Sequence, residues 1–397
     1  MVKIHNSKNI FYPFLIFVFF NTLLFIYIFN FDSLFPFNEH NYKYNSHHYL
    51  QDKRVTGENF SLLNALGQYD AQWYLQIAER GYPKSPTNTD IGDKTKMDGL
   101  TYAFFPLYPI FVKSINFFVG NVELSAFLLS TLFLILNFFS LYYLVSNLYG
   151  VKTAVKTIFL IFFFPFSIFF RSYFTEGLYL FLLIWFSYFL IKRKFLHSSF
   201  FLALINITKM SGFLLNIIFS LMLLKEYRKK KLKLDIAIYL IMMMSLPFLT
   251  WMLYNFWQTG DFLYFLSVRK SWSLMGNIFF LYPLYNFTLY FAFPLLPLHF
   301  FHFSLIDLSV ILIVLIILIK SRKVIRNELR IISFAIWLSP LLIHDPMSFS
   351  RYQIVSFPLF MYLARVLSGR KYFLIFAMFF IFLLITSALF VNWYWVG

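Results

Sequence analysis

The stretch GQYDAQWYLQIAERGYP, residues 67–83, places a carboxylate, Asp70, directly ahead of aromatic and aliphatic residues, in a chain that is 60% hydrophobic and only 13% charged. If residues 70–80 form a helix, Asp70, Trp73, Tyr74 and Ile77 fall at i, i+3, i+4 and i+7 on one face, and Gln72, Gln76 and Glu79 share another. The spacing predicts an amphipathic helix lying at a membrane interface, aromatic side down and polar side up, stopped by Gly81-Tyr82-Pro83. Asp70 then starts the helix on its aromatic side, the wrong side for a solvated charge. Two readings stand open. Asp70 is the N-cap of the helix, or it is a carboxylate held at an apolar boundary, where loss of water strengthens it as a general base. A cap that also does chemistry meets both.

The other ionisable residues between apolar runs each carry a similar choice. Arg171 and Glu176 share a short connection, and charges at membrane depth cost about 2.5–3.5 kcal/mol each by insertion scales, so such groups pair or serve a pathway. They form a structural pair with each other, or Arg171 meets a phosphate while Glu176 orients it or a sugar hydroxyl. Lys209 lies at the tip of a short hairpin, where it snorkels to the interface or binds a lipid phosphate. Arg351, in FSRYQ, opens an apolar run, and its planar guanidinium suits bidentate phosphate binding. Arg80 binds a phosphate or pairs near Glu79. Trp73 stacks on a sugar or anchors at the interface. His344 and Asp345 are too few to hold a metal, Asp90, Asp93 and Asp98 read as a solvated loop, and the outer loops carry no D-x-D, so no cofactor is expected and a divalent ion stays an open question. There is no cysteine, which excludes disulfides, thiolate metal sites and cysteine nucleophiles.

The elements that must position these groups are membrane spans. Apolar runs long enough to cross about 30 Å of hydrocarbon recur along all 397 residues. The net charge of +17 would suggest nucleic acid in a soluble chain. Here it collects in clusters, such as KEYRKKKLK at 225–233 and KSRKVIRNELR at 320–330, that mark cytoplasmic loops instead. Threading between the clusters predicts about eleven spans: 10–29, 122–147, 157–170, 177–191, 198–209, 211–224, 234–258, 303–320, 330–344, 353–367 and 372–391. The two around Lys209 are short enough to be a partly penetrating hairpin packed in protein. The first run has no A-x-A cleavage site after it and reads as an uncleaved span with the N-terminus inside. Residues 30–121 become a large outer loop, polar and mobile from 38 to 59, while the apolar stretches 103–119 and 278–298 are placed as helices at the outer interface. The whole of 1–397 reads as one domain: first span, outer loop, and the remaining spans from 122 on. No internal repeat of 20–50 residues is seen. The 58 Phe, with abundant Ile, Lys, Asn and Tyr, match a low-G+C codon bias and are given no functional meaning.

No cytoplasmic segment exceeds roughly a dozen residues, and neither G-x-G-x-x-G nor a Walker motif occurs, which argues against ATP-driven transport by this chain alone and against an enzyme fed by a cytosolic nucleotide sugar. Chemistry, if present, belongs on the outer face with substrates arriving through the lipid.

The segment D-A-x-W-Y-x-x-I-A-x-x-G-Y (70–82), followed by FFPLYP (104–109), resembles the PIG-V family of mannosyltransferases, which act second in glycosylphosphatidylinositol assembly and have prokaryotic relatives. PFSIFFRSYFTEGLY (165–179) resembles its P-x-S-x-F…Y-x-T-E segment. ITKMSG (207–212) resembles T-R-x-x-G with Lys209 in place of Arg, SRYQIVSFPLFMYLA (350–364) resembles R-Y…P-L, and NWYW (392–395) its late tryptophans. The resemblance implies an all-α GT-C type bundle and inverting transfer of a sugar, usually mannose, from a polyprenyl-phosphate donor to an acceptor hydroxyl. It implies Asp70 as the base in the first outer loop; beside it, the reading of the other residues puts Arg351, Lys209 and Arg171 toward the donor phosphate, and Trp73, Tyr74, Arg80, Glu176 and Tyr352 in support. The expected partners are the lipid-linked donor, a lipid- or glycan-linked acceptor and membrane lipid, without nucleic acid; the eukaryotic member has a partner subunit. The membrane would be the plasma membrane of a prokaryote or the endoplasmic reticulum of a eukaryote. A secondary transporter or flippase, and an inert scaffold in a glycosylation complex, are the alternatives from other classes.

Overall fold

A computed structural model describes residues 8–30, 34–84, 94–269, 305–343 and 348–396. The apolar stretch 278–298, Asp90, Asp93, His344 and Asp345 lie outside the described residues, as does the side chain of Asp98. Among the described residues the secondary structure is helical throughout: α1 (Lys8–Asn30), α2 (Glu39–Asn45), α3 (Leu62–Leu66), α4 (Asp70–Arg80), α5 (Leu107–Val119), α6 (Val122–Tyr149), α7 (Val151–Phe162), α8 (Glu176–Ile191), α9 (Phe195–Asn206), α10 (Gly212–Arg228), α11 (Leu234–Thr259), α12 (Tyr264–Arg269), α13 (Leu305–Lys320), α14 (Asn327–Ile343), α15 (Phe349–Gln353), α16 (Phe357–Val366) and α17 (Gly369–Val391). This is an all-α integral membrane protein.

Among the described residues four helices are long and apolar enough to cross a membrane: Ile10–Asn30 within α1, α6, α11 and α17. The other expected spans that fall on described residues fold as shorter helices with somewhat different ends, and two depart most. The run expected over 157–170 is α7 displaced toward the N-terminus, because Pro165 cannot continue a helix and the chain turns through a short 3-10 segment, Ser167–Phe170, instead. The run expected over 353–367 is divided into α15 and α16, since Pro358 has no N–H to carry a helix on from α15 and itself suits the first turn of a new one. The apolar stretch 103–119 forms α5, 13 residues long, with Phe117 and Phe118 almost fully exposed at its end. Gly120, in the left-handed region (φ 71°), closes α5, and Asn121 caps α6 by accepting from the Leu124 N–H at 2.9 Å.

The core is built by α8, which packs between α6 and α9, with α7 on α6 and α16 on α7. It is rich in phenylalanine: Phe17, Phe138, Phe162 and Phe163 meet where α1, α6 and α7 cross.

The outer segment 38–59 is not the loose stretch its polarity suggests. Asn38 donates from its backbone to the Asn392 carbonyl at 3.0 Å, and Asn41 donates to the Trp393 carbonyl. Arg54 donates to Asp52, to Asn392 Oδ1 at 2.7 Å and to the Val391 carbonyl at 2.6 Å. Its guanidinium thereby covers the open C-terminal end of α17, where carbonyls lack helical partners. Trp393, fully buried, donates its indole N–H to Asp52 Oδ2 at 2.9 Å. The segment 38–54 and the C-terminal turn are locked to each other.

Burial opposes ionisation of Asp52, but the hydrogen bonds and charge of Arg54, with the Trp393 N–H, prevail and hold its carboxyl below the ordinary aspartate range. A depressed carboxyl stabilises the fold above its unfolded value of about 3.9 and stops doing so as the pH falls through its folded value. Asp52→Asn should therefore melt at lower temperature than wild type at pH 6, and thermal melts in detergent should show that gap closing as the pH falls below about 4. A gap independent of pH would show that the charge of Asp52 contributes nothing.

Candidate active site

The helix expected over 70–80 is α4, with the same bounds, and Gly81 ends it with φ 77° while its N–H returns to the Ile77 carbonyl. Its setting differs from the expectation in two ways. The polar face does not look into water, because the segment 46–50 covers it: Gln72 donates to the Leu50 carbonyl at 3.1 Å, and Gln76 contacts His47. Only Glu79 and Arg80 at its end are exposed. Asp70 is also not the N-cap. That position belongs to Tyr69, whose φ of 54° and ψ of −128° are strained for a tyrosine. The strain is held by Trp393 and Trp395 against the Tyr69 ring and by Asn41, which donates to its hydroxyl at 2.9 Å. Asp70 is thus the first helical residue, with its carboxylate free of capping.

Arg351 takes up that carboxylate. Its Nη1 donates to Asp70 Oδ2 at 2.8 Å and its Nε to Glu176 Oε1 at 2.7 Å. The same Glu176 oxygen accepts from Lys209 Nζ at 3.0 Å, so four charged side chains from four elements form one chain: Asp70, Arg351, Glu176, Lys209. Glu176 is fully buried and the Arg351 side chain is 4% exposed, whereas Asp70 keeps 35% of its side chain exposed. Among the described residues Asp70 Oδ1 makes no hydrogen bond, and the buried Glu176 Oε2 has no partner either.

Each member is placed by a local device. Glu176 opens α8, in the first turn, where the helix dipole favours a carboxylate. Arg351 sits in α15, entered through Ser348 in the left-handed region at φ 66°. Lys209 rides on the tight turn between α9 and α10. A side chain at Gly212 would meet Asn206 Oδ1 at 2.6 Å and Ile205 Cγ2 at 2.9 Å, so the turn closes this far only over a glycine. Aromatic rings wall the cations: Phe174 at 4.5 Å, Phe169 at 4.9 Å and Trp395 at 5.7 Å from the Arg351 guanidinium, and Tyr352 at 4.2 Å from the Lys209 ammonium.

Of the residues singled out in the sequence, Asp70, Glu176, Lys209, Arg351 and Tyr352 come together, and Tyr74 is buried beside them against Phe104 and Tyr108. Three do not join. Arg171 pairs with neither Glu176 nor an open phosphate site. It is buried and donates to Asn21 Oδ1 from Nε at 2.9 Å, to the Ser167 carbonyl at 2.9 Å and to the Phe162 carbonyl at 3.1 Å, closing the C-terminal end of α7 as Arg54 closes α17. Trp73 is buried, 7% exposed, with His47 and Phe104 both stacked on it, so it presents no open ring face to a sugar. Arg80 is exposed, over the Tyr49 ring and 3.8 Å from Glu79. Phe169, Phe174 and Trp395 lie in segments that resemble the family, 165–179 and 392–395, but nothing in the sequence marks them as the wall of a cation. Among the described residues no three His, Asp or Glu side chains gather as metal ligands would.

No family model matches the chain, and no curated protein matches it. Among solved structures it is similar to the crystal structure of ArnT from Cupriavidus metallidurans bound to undecaprenyl phosphate, at 13% identity and a TM-score of 0.49 over 90% of this chain. The match covers 61% of the length of that protein.

Removing one member of a buried charge pair strands its partner and costs about 3–5 kcal/mol. Glu176→Gln should lose stability in that range, because it leaves Arg351 and Lys209 sharing only Asp70. The double variant Glu176→Gln/Lys209→Met should lose clearly less than the two single losses together, measured by denaturant unfolding in detergent. Strict additivity would show that the two side chains are not coupled.

Proposed function

We propose that this protein is a membrane-embedded inverting glycosyltransferase of the GT-C type, related to the PIG-V mannosyltransferases. It moves a sugar, mannose by that relation, from a polyprenyl-phosphate donor to an acceptor hydroxyl on the extracytoplasmic or lumenal face. The observation that carries the reading is Asp70: one carboxylate oxygen fixed by Arg351, the other accessible and unbonded, beside a buried pair of cations.

Such an arrangement fits displacement at an anomeric carbon. The acceptor oxygen forms a bond to that carbon on the face opposite the phosphate while the carbon–oxygen bond to the phosphate breaks. The acceptor proton passes to Asp70 Oδ1, and the bonding pair leaves with the phosphate oxygen. General-base help of this kind is worth roughly 10²–10⁴ in rate. Arg351 does not act on the proton. By holding Oδ2 it fixes the direction in which Oδ1 points, and near-attack geometry of this kind is where much of an enzyme's rate originates. Negative charge builds on the leaving phosphate, and a fixed cation aimed there lowers the barrier; Lys209 is placed for that task on the far side of Glu176. No resident cofactor is required, since each step uses side chains of the chain itself.

Asp70→Asn keeps the size of the side chain and one hydrogen bond to Arg351 while removing the base. Purified wild type and this variant, incubated in nanodiscs with radiolabelled polyprenyl-phosphate-mannose and a lipid extract from the source cells, should differ at least a hundredfold in label transferred. Their melting temperatures should stay close. Equal transfer by the two would remove Asp70 as the base; no transfer by a folded wild type would favour a transporter or a scaffold.

A further inference from the structure

Arg351 can align Asp70 with Glu176 only if its own helix is fixed, and α15 cannot fix itself. It is five residues long, little more than one turn, and so short a helix makes too few hydrogen bonds to offset its nucleation. Its first turn also lacks the usual local cap. Ser348 occupies the N-cap position, for which serine is among the best residue types. With φ 66° and ψ 22°, however, it stands outside the extended region that capping uses, and its side chain makes no capping bond. The N–H groups of that turn need an acceptor from elsewhere.

The acceptor is Asp307, on α13. Its Oδ1 takes the Ser350 backbone N–H at 2.8 Å and the Ser350 hydroxyl at 2.7 Å. Ser350 is the second helical residue of α15, and its N–H is one that an N-cap side chain would ordinarily serve. One helix therefore caps another. Asp307 is buried in the first turn of a largely apolar helix, where a carboxylate is costly and is retained when it serves a partner. A first-turn acid suits its own helix dipole without any outside contact. Two donors from one residue of a different helix go beyond that role. At the other end of α15, Gln353 donates to the Ile336 carbonyl of α14 at 3.4 Å. The turn is tied at one end to α13 and at the other to α14, and Arg351 lies between the ties, next in sequence to Ser350.

We infer that Asp307 is a positioning residue for the base. It fixes the start of α15, α15 fixes Arg351, and Arg351 sets the direction in which Asp70 Oδ1 points. The inference rests on the transferase reading and deepens it, adding to that site a residue that acts through Arg351 and not on the substrates. A misplacement of about 1 Å at the reacting atoms can cost on the order of a hundredfold in rate, so Asp307 acts on kcat.

The test uses the full chain in nanodiscs, with radiolabelled polyprenyl-phosphate-mannose as donor and a lipid extract from the source cells. Asp307→Ala should lower kcat roughly tenfold to a hundredfold and leave KM for the donor within about twofold. Asp307→Asn, whose amide oxygen also accepts two hydrogen bonds, should restore kcat to within about threefold of wild type. Ser350→Ala removes the hydroxyl bond, keeps the backbone one, and should fall between the two. Placed on Asp70→Asn, Asp307→Ala should cost nothing further, because the group it positions is gone. An equal loss in both backgrounds would make Asp307 a structural residue and overturn the inference, as would a kcat that Asp307→Ala leaves unchanged. Either result keeps the transferase reading wherever wild type transfers sugar. A second readout needs no turnover: denaturant unfolding of Asp307→Ala, Glu176→Gln and the double variant. The double loss should be smaller than the two single losses together, since both changes loosen the same arginine, and strict additivity overturns the inference. A folded wild type that transfers no sugar overturns the transferase reading, and the base with it, whatever the unfolding shows.

Discussion

A single buried oxygen, Glu176 Oε1, accepts from Arg351 at 2.7 Å and from Lys209 at 3.0 Å, and the candidate site is organised around it. A carboxylate with no exposed surface is tolerable only with compensating charge and hydrogen bonds. Two cations on one oxygen over-compensate, and the excess is balanced by Asp70 at the other edge of the Arg351 guanidinium. The four charges sum to zero, yet Glu176 and Arg351 are buried and Lys209 is only 14% exposed, against 35% for Asp70. The arrangement therefore delivers a carboxylate to the surface of the site with its orientation set from behind.

Only arginine can do this at position 351. A lysine offers one point charge, whereas the guanidinium presents Nε and Nη1 in a fixed planar relation and can hold two carboxylates from different helices at once. Its flat faces are closed by Phe174, Phe169 and Trp395, so that the cation is enclosed by rings rather than water. Trp395 belongs to the C-terminal turn whose neighbour Trp393 is pinned by Asp52, and Asp52 belongs to the first outer loop. The stability of the loop lock and the geometry of the site are in this way one problem.

What the sequence made legible follows from what a sequence encodes locally. Periodicity of 3.6 and a Gly-Tyr-Pro stop fix α4 to its end residues, because both signals lie within the helix itself. The same periodicity separates a polar face from an aromatic one but says nothing of what covers each, and here residues 46–50 lie on Gln72 and Gln76 where solvent was expected. Arg171 and Glu176 stand five positions apart, so a local pair was the natural expectation. The chain instead turns at Pro165, and Arg171 finds the exposed carbonyl end of α7 and Asn21 of α1, while Glu176 finds a cation 175 residues away. Pairings at such separation leave no trace in one sequence, since any basic residue on any outer loop would serve equally well on paper. That Asp70, Lys209 and Arg351 were singled out is the weaker inference that charges among apolar runs need partners; which partner each takes is a property of packing.

Two arginines that do not reach the site show why its own cations are special. Arg54 and Arg171 both end helices, donating to carbonyls that lack helical partners, and both thereby have most of their donors used by the protein's own backbone and amide oxygens. Lys209 sits at a helix junction as well, but on a turn so tight over Gly212 that its ammonium is carried past the end of α9 to Glu176 and to the edge of a pocket. Its neighbour there, the ring face of Tyr352, does not exhaust its hydrogen-bonding capacity. A cation whose donors are all used holds a fold together; one left with donors in a buried space has capacity for a ligand, and the geometry of the turn at residues 207–211 is what separates the second case from the first.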